Sequence, residues 1–394
     1  MGKRVLWKDP VNTIVCNGIS DCYVELHQYL KEEGSVKDSR IGKIREVLNF
    51  KTVINNPMHR CLIAKNRNVN IFFHLAESLW TFSGRDDLEF IKMFNSRFSQ
   101  FSDDGVSLHG AYGKRLRFWE NSGEDSFIDQ LRLNCSLLAK DSITRRSVIS
   151  FWDPVLDLGT ESKDIPCNTQ IAIKIHEDDL HLTIFNRSND LHWGYVTDIF
   201  QFSFMGEIIS LLLNKHYASQ THISQSLHIY EDNDLINNFV DTDIHTSFYQ
   251  RYPPTLFQFS FINSFSSFED RFSEIDLEIK GLINSLLDNS KNKKEIEIED
   301  IIPLSLSLKS KSRSLFEIAF LLFLSLSYQN CIKHSENKDA IRCKYADFLM
   351  DTWNLQEFIH KDFHALALNY FVKRISDNSL KLKYLKFDPN IGTY

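Results

Sequence analysis

Apolar positions recur along the chain at the intervals expected of helices and strands. Helical spacing predicts helices at 21–34, 72–82, 128–141 and 197–213. Stretches rich in β-branched and aromatic residues predict strands at 147–152, 170–175 and 180–185. The last two strands flank HEDD, which suits a hairpin turn, and Gly34 is placed to stop the first helix. The mixture indicates an α+β protein built on a sheet.

The second half of the chain has a different pattern. DNSKNKKEIEIED, at 288–300, is polar, highly charged and free of aromatic residues. It predicts a main domain at 1–288, a charged linker at 289–300 and a mostly helical C-terminal region of unknown role at 301–394. The most apolar run, IAFLLFLSL, is too short to span a bilayer and predicts a buried helix.

Composition narrows the classes of protein. A chain of 394 residues can bury a large core, and a net charge of −7 argues against a general nucleic-acid coat. No direct nucleic-acid binding and no membrane partner are therefore expected. Seven scattered cysteines without a CxxC pair fit neither a zinc site nor a disulfide framework. With no apolar signal region at the start, a cytoplasmic location is expected.

Two side chains are candidates for catalysis on their own. Cys167 follows a proline at a strand entrance, where a thiolate could be held as a nucleophile; the alternative is a small buried apolar residue. Glu77 lies in the middle of an apolar helix, where a carboxylate is costly to bury unless it is paired or used.

Two pairs are candidates for binding an anion. Arg187 and Ser188 could give a bidentate and a hydroxyl contact to a phosphate. Arg145 and Arg146 are adjacent, so in an extended chain they point to different sides. Each pair alone is also compatible with a solvated surface.

Seven motifs, taken in order along the chain, favour functional roles for these residues over purely structural ones. They are SRIGK (39–43), HLAESLW (74–80), AYGKRLRFW (111–119), TRRSVISFW (144–152), IPCNTQ (165–170), NRSND (186–190) and LHIY (227–230). The series resembles the thymidylate synthase family, which includes the pyrimidine nucleotide hydroxymethylases, over roughly residues 20–260. The resemblance implies a mixed sheet flanked by helices, with 1–288 as the catalytic domain.

The resemblance also implies roles for individual residues. Cys167 matches the nucleophile, Glu77 the glutamate that manages water and protons, and Tyr112 a tyrosine beside the cysteine. The phosphate-binding set is matched by Arg40, Arg145, Arg146, Arg187 and Ser188. His228 and Tyr230 match the residues that bind the nucleotide sugar, and Asp190 and Gly194 match residues that contact the folate. In the family the paired arginines come from the partner subunit, which implies an obligate homodimer.

The implied chemistry begins with the Cys167 thiolate adding to carbon 6 of a pyrimidine nucleoside monophosphate. Carbon 5 then becomes nucleophilic enough to take the methylene of 5,10-methylenetetrahydrofolate. The phosphate-binding arginines are expected to anchor the nucleotide and to lower the pKa of Cys167. The new carbon has two fates: hydride gives a methyl group, and water gives a hydroxymethyl group.

Asp198 bears on the identity of the base. Thymidylate synthases have an asparagine at this position, whose amide matches uracil, whereas the cytidylate hydroxymethylases have an aspartate. A carboxylate accepts from the cytosine amino group, and a shared proton can bridge to the ring nitrogen. The alternative is an aspartate that caps the next helix. The sequence therefore predicts cytosine, and does not separate CMP from dCMP.

Other departures from the family pattern bear on the reaction. Phe98 and Phe101 stand where thymidylate synthases have tryptophans that shield the methylene, and smaller rings favour entry of water. Asn168 follows Cys167 where the family usually has histidine, so another group must carry its protons. The leading hypothesis is a cytidylate 5-hydroxymethylase. A cytidylate or uridylate methylase and a non-catalytic nucleotide-binding protein are the alternatives.

Overall fold

A computed structural model describes residues 12–39, 42–64, 67, 69–120, 126–231, 244–291, 296–306 and 312–392. The strands are β1 (Thr13–Cys16), β2 (Ser35–Asp38), β3 (Lys43–Ile54), β4 (Trp119–Glu120), β5 (Phe127–Ile128), β6 (Val148–Ser150), β7 (Asn168–His176), β8 (Asp179–Asn186), β9 (Asn189–Asp190) and β10 (His216–Tyr230).

The α-helices of the first two thirds of the chain are α1 (Ile19–Glu33), α2 (Ile71–Phe82), α3 (Leu88–Ile91), α4 (Tyr112–Arg117), α5 (Gln130–Lys140), α6 (Pro154–Asp157), α7 (Gly194–Leu213) and α8 (Ile244–Arg251). Those that follow are α9 (Phe268–Lys291), α10 (Ile301–Leu306), α11 (Arg313–His334), α12 (Lys338–Leu355), α13 (Lys361–Lys373) and α14 (Asn378–Phe387). Two 3₁₀ helices cover Ser96–Phe101 and Ile298–Asp300.

One mixed sheet organises the first domain. Its strand order is β1-β3-β10-β8-β7-β6, with β2 on β3 and β9 on β10. The long strand β10 is antiparallel to β3 and parallel to β8. The predicted fold class is therefore confirmed: α+β, a mixed sheet flanked by helices, and a helical C-terminal region.

The predicted elements form where the spacing of apolar residues places them. The buried helix predicted at 72–82 is α2, and Asn70 caps it by accepting from the amide of Phe73 at 3.3 Å. The helix predicted at 197–213 is α7, which starts one turn earlier and ends at Asn214 with φ +50°. The HEDD turn joins β7 to β8, with Glu177 at φ +57°.

A β-bulge shapes the start of β7. Asn168 pairs with Asn186 and Gln170 with Phe185, so Thr169 is an extra residue against one step of β8. The Thr169 carbonyl accepts from the amides of Phe151 and Trp152. A bulge twists its strand and re-aims the neighbouring side chains. It therefore sets the direction of the residues at the entrance to β7, where Cys167 lies.

The C-terminal helices share the hydrophobic core of the sheet domain. Phe72 of α2 stacks edge-on against Tyr370 at 5.2 Å between ring centroids and lies 5.8 Å from Phe371 of α13. Helix α9 crosses residue 288, and Ile296 and Ile298 are buried in the same core. The proposed limits at 1–288, 289–300 and 301–394 stay a prediction.

A buried ion pair fixes the junction between α7 and the C-terminal helices. Arg60 and Glu207 are 1% and 0% exposed and lie 2.5 Å apart, and the Arg60 guanidinium stacks over Phe200, Phe257 and Phe363. Such a pair is stable only when both partners are buried together, because losing either one leaves an unpaired buried charge. Its position makes the docking of α13 part of the folding of the sheet domain.

Among the described residues, two helices, α7 and α11, are long and apolar enough by composition to cross a membrane. Most of their surface is buried inside the protein, which is equally typical of core helices. The apolar run predicted to form a buried helix lies within α11.

Candidate active site

Cys167 lies between Pro166 and the first residue of β7. The amide of Arg187, at the end of β8, donates to the Cys167 carbonyl at 2.9 Å. The Arg187 guanidinium donates to the carbonyls of Pro166 and Ile165 at 2.8 and 2.9 Å, and its Nη2 is 4.0 Å from Sγ of Cys167. Strand pairing thus brings the sulfur and one cation together across two strands.

The pKa of Cys167 bears on one expectation. Burial, with smaller contributions from Asp198, Asp164 and Asp190, raises this pKa to about 11, although Arg187 lowers it. Among the described arginines, Arg187 therefore acts on the thiol in the predicted direction. In the single chain this effect does not outweigh burial. The thiol keeps its proton at neutral pH in the free protein.

A buried polar network follows the cysteine. Asn168 is 0% exposed; its Nδ2 donates to Oδ2 of Asp198 at 2.9 Å, and its Oδ1 accepts from Asn186. Gln201 donates to Oδ1 of Asp198 at 2.9 Å and accepts from the Thr81 hydroxyl at 3.0 Å. Asp198 is thus held from both sides inside α7.

Burial raises the pKa of Asp198 to about 7, although the hydrogen bonds from Asn168 and Gln201 oppose the rise. Its carboxyl is therefore able to hold or release a proton near neutral pH. Asp198 lies in the first turns of α7, but its side chain is 6% exposed and bonds to Asn168 and Gln201. This geometry disfavours the alternative of a solvated capping aspartate.

Glu77 projects from α2 toward Asp198. Its side chain is 8% exposed, and Oε2 is buried without a hydrogen-bond partner among the described residues. Burial, and then the nearby Asp198, raise the pKa of Glu77 well above the usual range of a glutamate. An unpartnered carboxyl oxygen in a buried position is costly, so a ligand or a water is its natural partner.

Tyr112 joins this group from the start of α4. Its hydroxyl accepts from the amide of Asn168 at 3.2 Å, and its ring packs against Phe151 and Phe202. Burial raises the pKa of Tyr112 well above the usual range of a phenol. The tyrosine is therefore neutral and fixes the backbone directly after Cys167.

Asp190 and His228 are brought together by a short parallel ladder. Asp190 of β9 pairs with His228 of β10, and the Leu191 amide donates to the His228 carbonyl at 2.9 Å. The His228 ring meets Tyr230 edge-on at 5.5 Å. Burial raises the pKa of Asp190 to about 6 and lowers that of His228. A carboxyl and a neutral imidazole thus lie on paired residues of adjacent strands. Gly194 lies four residues after Asp190, at the start of α7.

The contacts that hold Asp190 were not predicted from the sequence. Its Oδ1 accepts from the His192 amide at 2.9 Å, and the His192 carbonyl accepts from the Arg67 guanidinium. Tyr23 Oη lies 2.5 Å from Nδ1 of His192, and the Arg67 guanidinium stacks over the Tyr23 ring at 5.5 Å. The contacts of His192 with Tyr23 and with Arg67 join segments more than a hundred residues apart, and the local sequence around each carries no signal for them.

The structure separates the residues predicted to bind phosphate. Arg187 and Ser188 lie at the end of β8, beside the cysteine. Arg145 and Arg146 lie on the surface before β6, and both are exposed. The predicted contribution of Arg40 concerns a residue outside the described part of the chain.

Phe98 and Phe101 occupy the 3₁₀ helix near α2. Their rings meet edge-on at 6.2 Å, and Phe98 packs against Phe73 at 5.3 Å. Phe101 is 43% exposed and Phe98 is partly buried. Phe98 and Phe101 offer flat apolar surface suited to an aromatic cofactor, and a separate exposed ring, Trp193, precedes Gly194 and is 56% exposed.

The donor set fits a folate. Asp190 gives a buried carboxyl for the amino-pyrimidine edge of a pterin. Nε2 of His192, which has no hydrogen-bond partner among the described residues, lies in the same segment. No cluster of three or more metal-ligating side chains occurs among the described residues. The arrangement combines the thiol of Cys167, three buried carboxyls of raised pKa (Glu77, Asp190 and Asp198) and an amide network.

Comparison with known proteins is consistent with this geometry. Residues 21–272 match the family model for thymidylate synthase. The chain is 38% identical over 216 residues to the deoxyuridylate hydroxymethyltransferase of Bacillus phage SP01, covering 53% of this chain and 56% of that protein. The protein of the same description from Pseudomonas phage M6 is 36% identical over 225 residues, covering 56% of this chain and 62% of the relative. The one from Delftia phage PhiW-14 is 35% identical over 214 residues, covering 51% and 57%. The chain thus spans somewhat more than half the length of these relatives.

Proposed function

The chain belongs to the thymidylate synthase family, and we propose that it is a folate-dependent pyrimidine nucleotide 5-hydroxymethylase that acts on cytidylate, CMP or dCMP. The observation that carries the proposal is that Asn168, the residue directly after Cys167, donates to the buried carboxyl of Asp198. In this proposal the Cys167 thiol is the nucleophile and the Asp198 carboxyl is the group that contacts the base. A protein that only binds a nucleotide needs neither the thiol nor the unpartnered carboxyl of Glu77.

The mechanism starts with covalent addition. Sγ of Cys167 loses its proton to solvent and bonds to carbon 6 of the pyrimidine, and the electron pair of the C5–C6 double bond moves toward carbon 5 and the N3–C4 edge. Asp198, with a pKa near 7, can deliver a proton to that edge and take it back later. Arg187 and Ser188 anchor the phosphate, so that carbon 6 is held against the sulfur.

The later steps need a proton carrier above carbon 5. Bound 5,10-methylenetetrahydrofolate supplies the one-carbon unit. Glu77 then accepts the proton lost from carbon 5, directly or through a water on its unpartnered Oε2. The raised pKa of Glu77 makes its carboxylate a stronger base than an exposed glutamate.

Hydration rather than reduction is favoured by two observations. Three relatives carry the description hydroxymethyltransferase. Phe98 and Phe101 replace the larger tryptophans of thymidylate synthases, and Phe101 is 43% exposed. Water therefore has a route to the new exocyclic carbon, and tetrahydrofolate leaves without becoming dihydrofolate.

Cytosine is favoured by the carboxyl at 198. Each oxygen of Asp198 accepts one hydrogen bond, from Asn168 or from Gln201. Toward the base, the carboxyl can therefore offer its remaining lone pairs as acceptors and, when protonated, one proton as a donor. Cytosine offers an amino donor and an unprotonated ring nitrogen, which match an acceptor and that proton. The amide of an asparagine offers no such mobile proton.

A uridylate 5-hydroxymethylase is the second candidate. The three phage relatives are described as acting on deoxyuridylate. With a pKa of about 7, Asp198 is partly protonated at neutral pH, and a protonated carboxyl has one donor and one acceptor, as an amide does. Such a group can face the carbonyl and the ring N–H of uracil.

A homodimer with shared active sites is part of the proposal. The sheet face away from the core carries half-exposed residues, including Ala172, Phe185 and Ile223 on adjacent strands. Exposed Arg145 and Arg146 beside β6 are placed at the end of this sheet. A second copy covering the face would bury its apolar residues and could bring these arginines to the partner's phosphate site. The free thiol that the mechanism needs suits the cytoplasm.

Product analysis tests the proposal. The protein is incubated with 5,10-methylenetetrahydrofolate and, in turn, CMP, dCMP, UMP and dUMP, and the products are identified by mass. We expect a 5-hydroxymethylcytidylate without dihydrofolate. A hydroxymethyluridylate would establish the second candidate, a methylated product would refute the hydration step, and no product from any nucleotide would refute the enzymatic function.

A further inference from the structure

We propose that helix α13 of the C-terminal region is a positioning element of the active site, acting through Lys373 on the loop that carries Arg67. The inference rests on the proposed folate-dependent function, with Asp190 as the folate contact that the family resemblance implies. Asp190, Arg67 and His192 belong to the sheet domain, whereas Lys373 lies more than 300 residues after Arg67. The C-terminal region thereby gains a role in cofactor binding.

A chain of hydrogen bonds runs from α13 to the carboxyl of Asp190. Nζ of Lys373 donates to the Arg67 carbonyl at 2.7 Å. The Arg67 guanidinium donates to the His192 carbonyl, and the His192 amide donates to Oδ1 of Asp190 at 2.9 Å. The first two links join separate segments of the chain, and the third lies within the segment that carries His192 and Asp190. We therefore expect a displacement of the Arg67 backbone to reach the carboxyl of Asp190.

The electrostatic effect of this chain has a definite sign. The Arg67 guanidinium lowers the pKa of Asp190 against the rise caused by burial. Holding Arg67 in place therefore keeps Asp190 more ionised near neutral pH, which strengthens its hydrogen bonds to the donor edge of a pterin. Lys373 contributes by fixing the backbone of Arg67, and it has no need to contact the folate.

The same helix supports the catalytic carboxyl. Phe371 and Tyr370 of α13 pack on Phe72 in the first turn of α2, and Glu77 lies five residues further along that helix. The loop held by Lys373 leads directly into α2. Helix α13 therefore contacts both Arg67, which bonds to the segment of Asp190, and α2, which carries Glu77.

Lys373→Met tests the role of the ammonium, because methionine keeps the unbranched apolar stem and removes the donor. We expect KM for 5,10-methylenetetrahydrofolate, and Kd for tetrahydrofolate by calorimetry, to rise about tenfold, equivalent to about 1.4 kcal/mol. We expect kcat and the Kd for nucleotide to change less than threefold. Lys373→Arg, which restores a charged donor, is expected to recover most of the loss.

Lys383→Met is the matched control. Lys383 lies on α14, where it is half exposed and pairs with Asp347 at 2.6 Å, away from the loop. We expect its kinetic constants to equal those of the wild type. If Lys373→Met changes KM for folate no more than the control, or if kcat and nucleotide affinity fall by the same factor as folate affinity, the positioning role is refuted.

Hydrogen–deuterium exchange on the wild-type protein keeps the inference testable even if Lys373→Met fails to fold. Adding tetrahydrofolate is expected to slow exchange in peptides from α13 as well as in those that span Asp190. Protection around Asp190 without protection in α13 would overturn the inference and leave the proposed function standing. Absence of any tetrahydrofolate binding by the wild type would overturn both.

Discussion

Replacing Asp198 with asparagine tests the assignment of the base. In the wild type both oxygens of Asp198 accept hydrogen bonds, from Asn168 and from Gln201, each at 2.9 Å. An amide nitrogen must replace one oxygen and would then meet a donor. The Gln201 amide can flip at low cost, because its partner Thr81 is a hydroxyl that can turn from donor to acceptor. We therefore expect the introduced asparagine to keep its oxygen toward Asn168 and its nitrogen toward Gln201.

The size of the effect follows from burial. The side chain at 198 is 6% exposed, so a mismatched donor or acceptor on the base stays without water. Each unpaired buried group costs about 1–3 kcal/mol. With two groups of the base in contact with this side chain, we expect the ratio of kcat/KM for cytidylate over uridylate to fall by about 10²-fold or more.

The assay compares kcat/KM for dCMP and dUMP, and for CMP and UMP, in the wild type and Asp198→Asn. Asp179→Asn serves as the control, because Asp179 is a half-exposed aspartate on β8. An unchanged ratio in a folded Asp198→Asn protein would refute the choice of cytosine. A wild type that already prefers uridylate, with a preference lost above pH 7, would instead support the protonated carboxyl as an amide substitute.

Stability gives this variant a second readout. The pKa of Asp198 is raised from 3.8 to about 7 in the folded protein. A raised pKa means that the protonated form favours folding, so its contribution is complete below about pH 4 and is lost as pH rises through 7. Asparagine does not titrate. The variant should therefore gain stability relative to the wild type between pH 4 and 7, on the order of 4 kcal/mol at most, measured by urea unfolding.

Four further substitutions test the proposed nucleophile, the buried glutamate, the route of water and the buried ion pair. Cys167→Ala should reduce turnover by at least about 10⁴-fold while nucleotide Kd changes less than threefold; persistent turnover would exclude covalent catalysis. Glu77→Gln should lower kcat by about 10²–10⁴-fold with nucleotide affinity retained, measured by steady-state kinetics and calorimetry. Phe98→Trp should divert part of the product to a methylated nucleotide, with dihydrofolate detected by absorbance; an unchanged product would show that ring size does not control water entry. Glu207→Gln should cost about 3–5 kcal/mol in urea unfolding because Arg60 is left as a buried unpaired charge.

The predicted elements that formed as expected are those with a strong local signal. Helix α2 is mostly apolar in sequence and buried on every side, and the β7–β8 hairpin has two apolar runs around a polar turn. Such signals depend on neighbours in sequence, and they place Cys167 and Glu77 on the right elements.

The longest strand, β10, was missed for a physical reason. Several of its buried positions hold polar side chains: Gln220, His222 and Ser224 are 0%, 0% and 2% exposed. Gln220 and His222 lie in hydrogen-bond contact at 2.8 Å, and Ser224 accepts from Asn189 at 3.0 Å. A strand whose core face is polar lacks the alternation that identifies strands. The contacts of Arg67 with His192 and with Lys373 join residues far apart in sequence, so no local pattern predicts them.

Glu77 and Asp198 act as one titrating unit. The negative charge of Asp198 raises the pKa of Glu77, and both carboxyls are buried, so the two cannot ionise independently. The site therefore holds at least one proton at neutral pH before a nucleotide enters. Addition of a thiol whose pKa is about 11 needs a proton to reach the ring and another to leave carbon 5. In the proposed mechanism a proton held by one of these two carboxyls is given to the ring, and the carboxylate left behind accepts the proton from carbon 5. The pair would then take the place of the titratable histidine that Asn168 replaces.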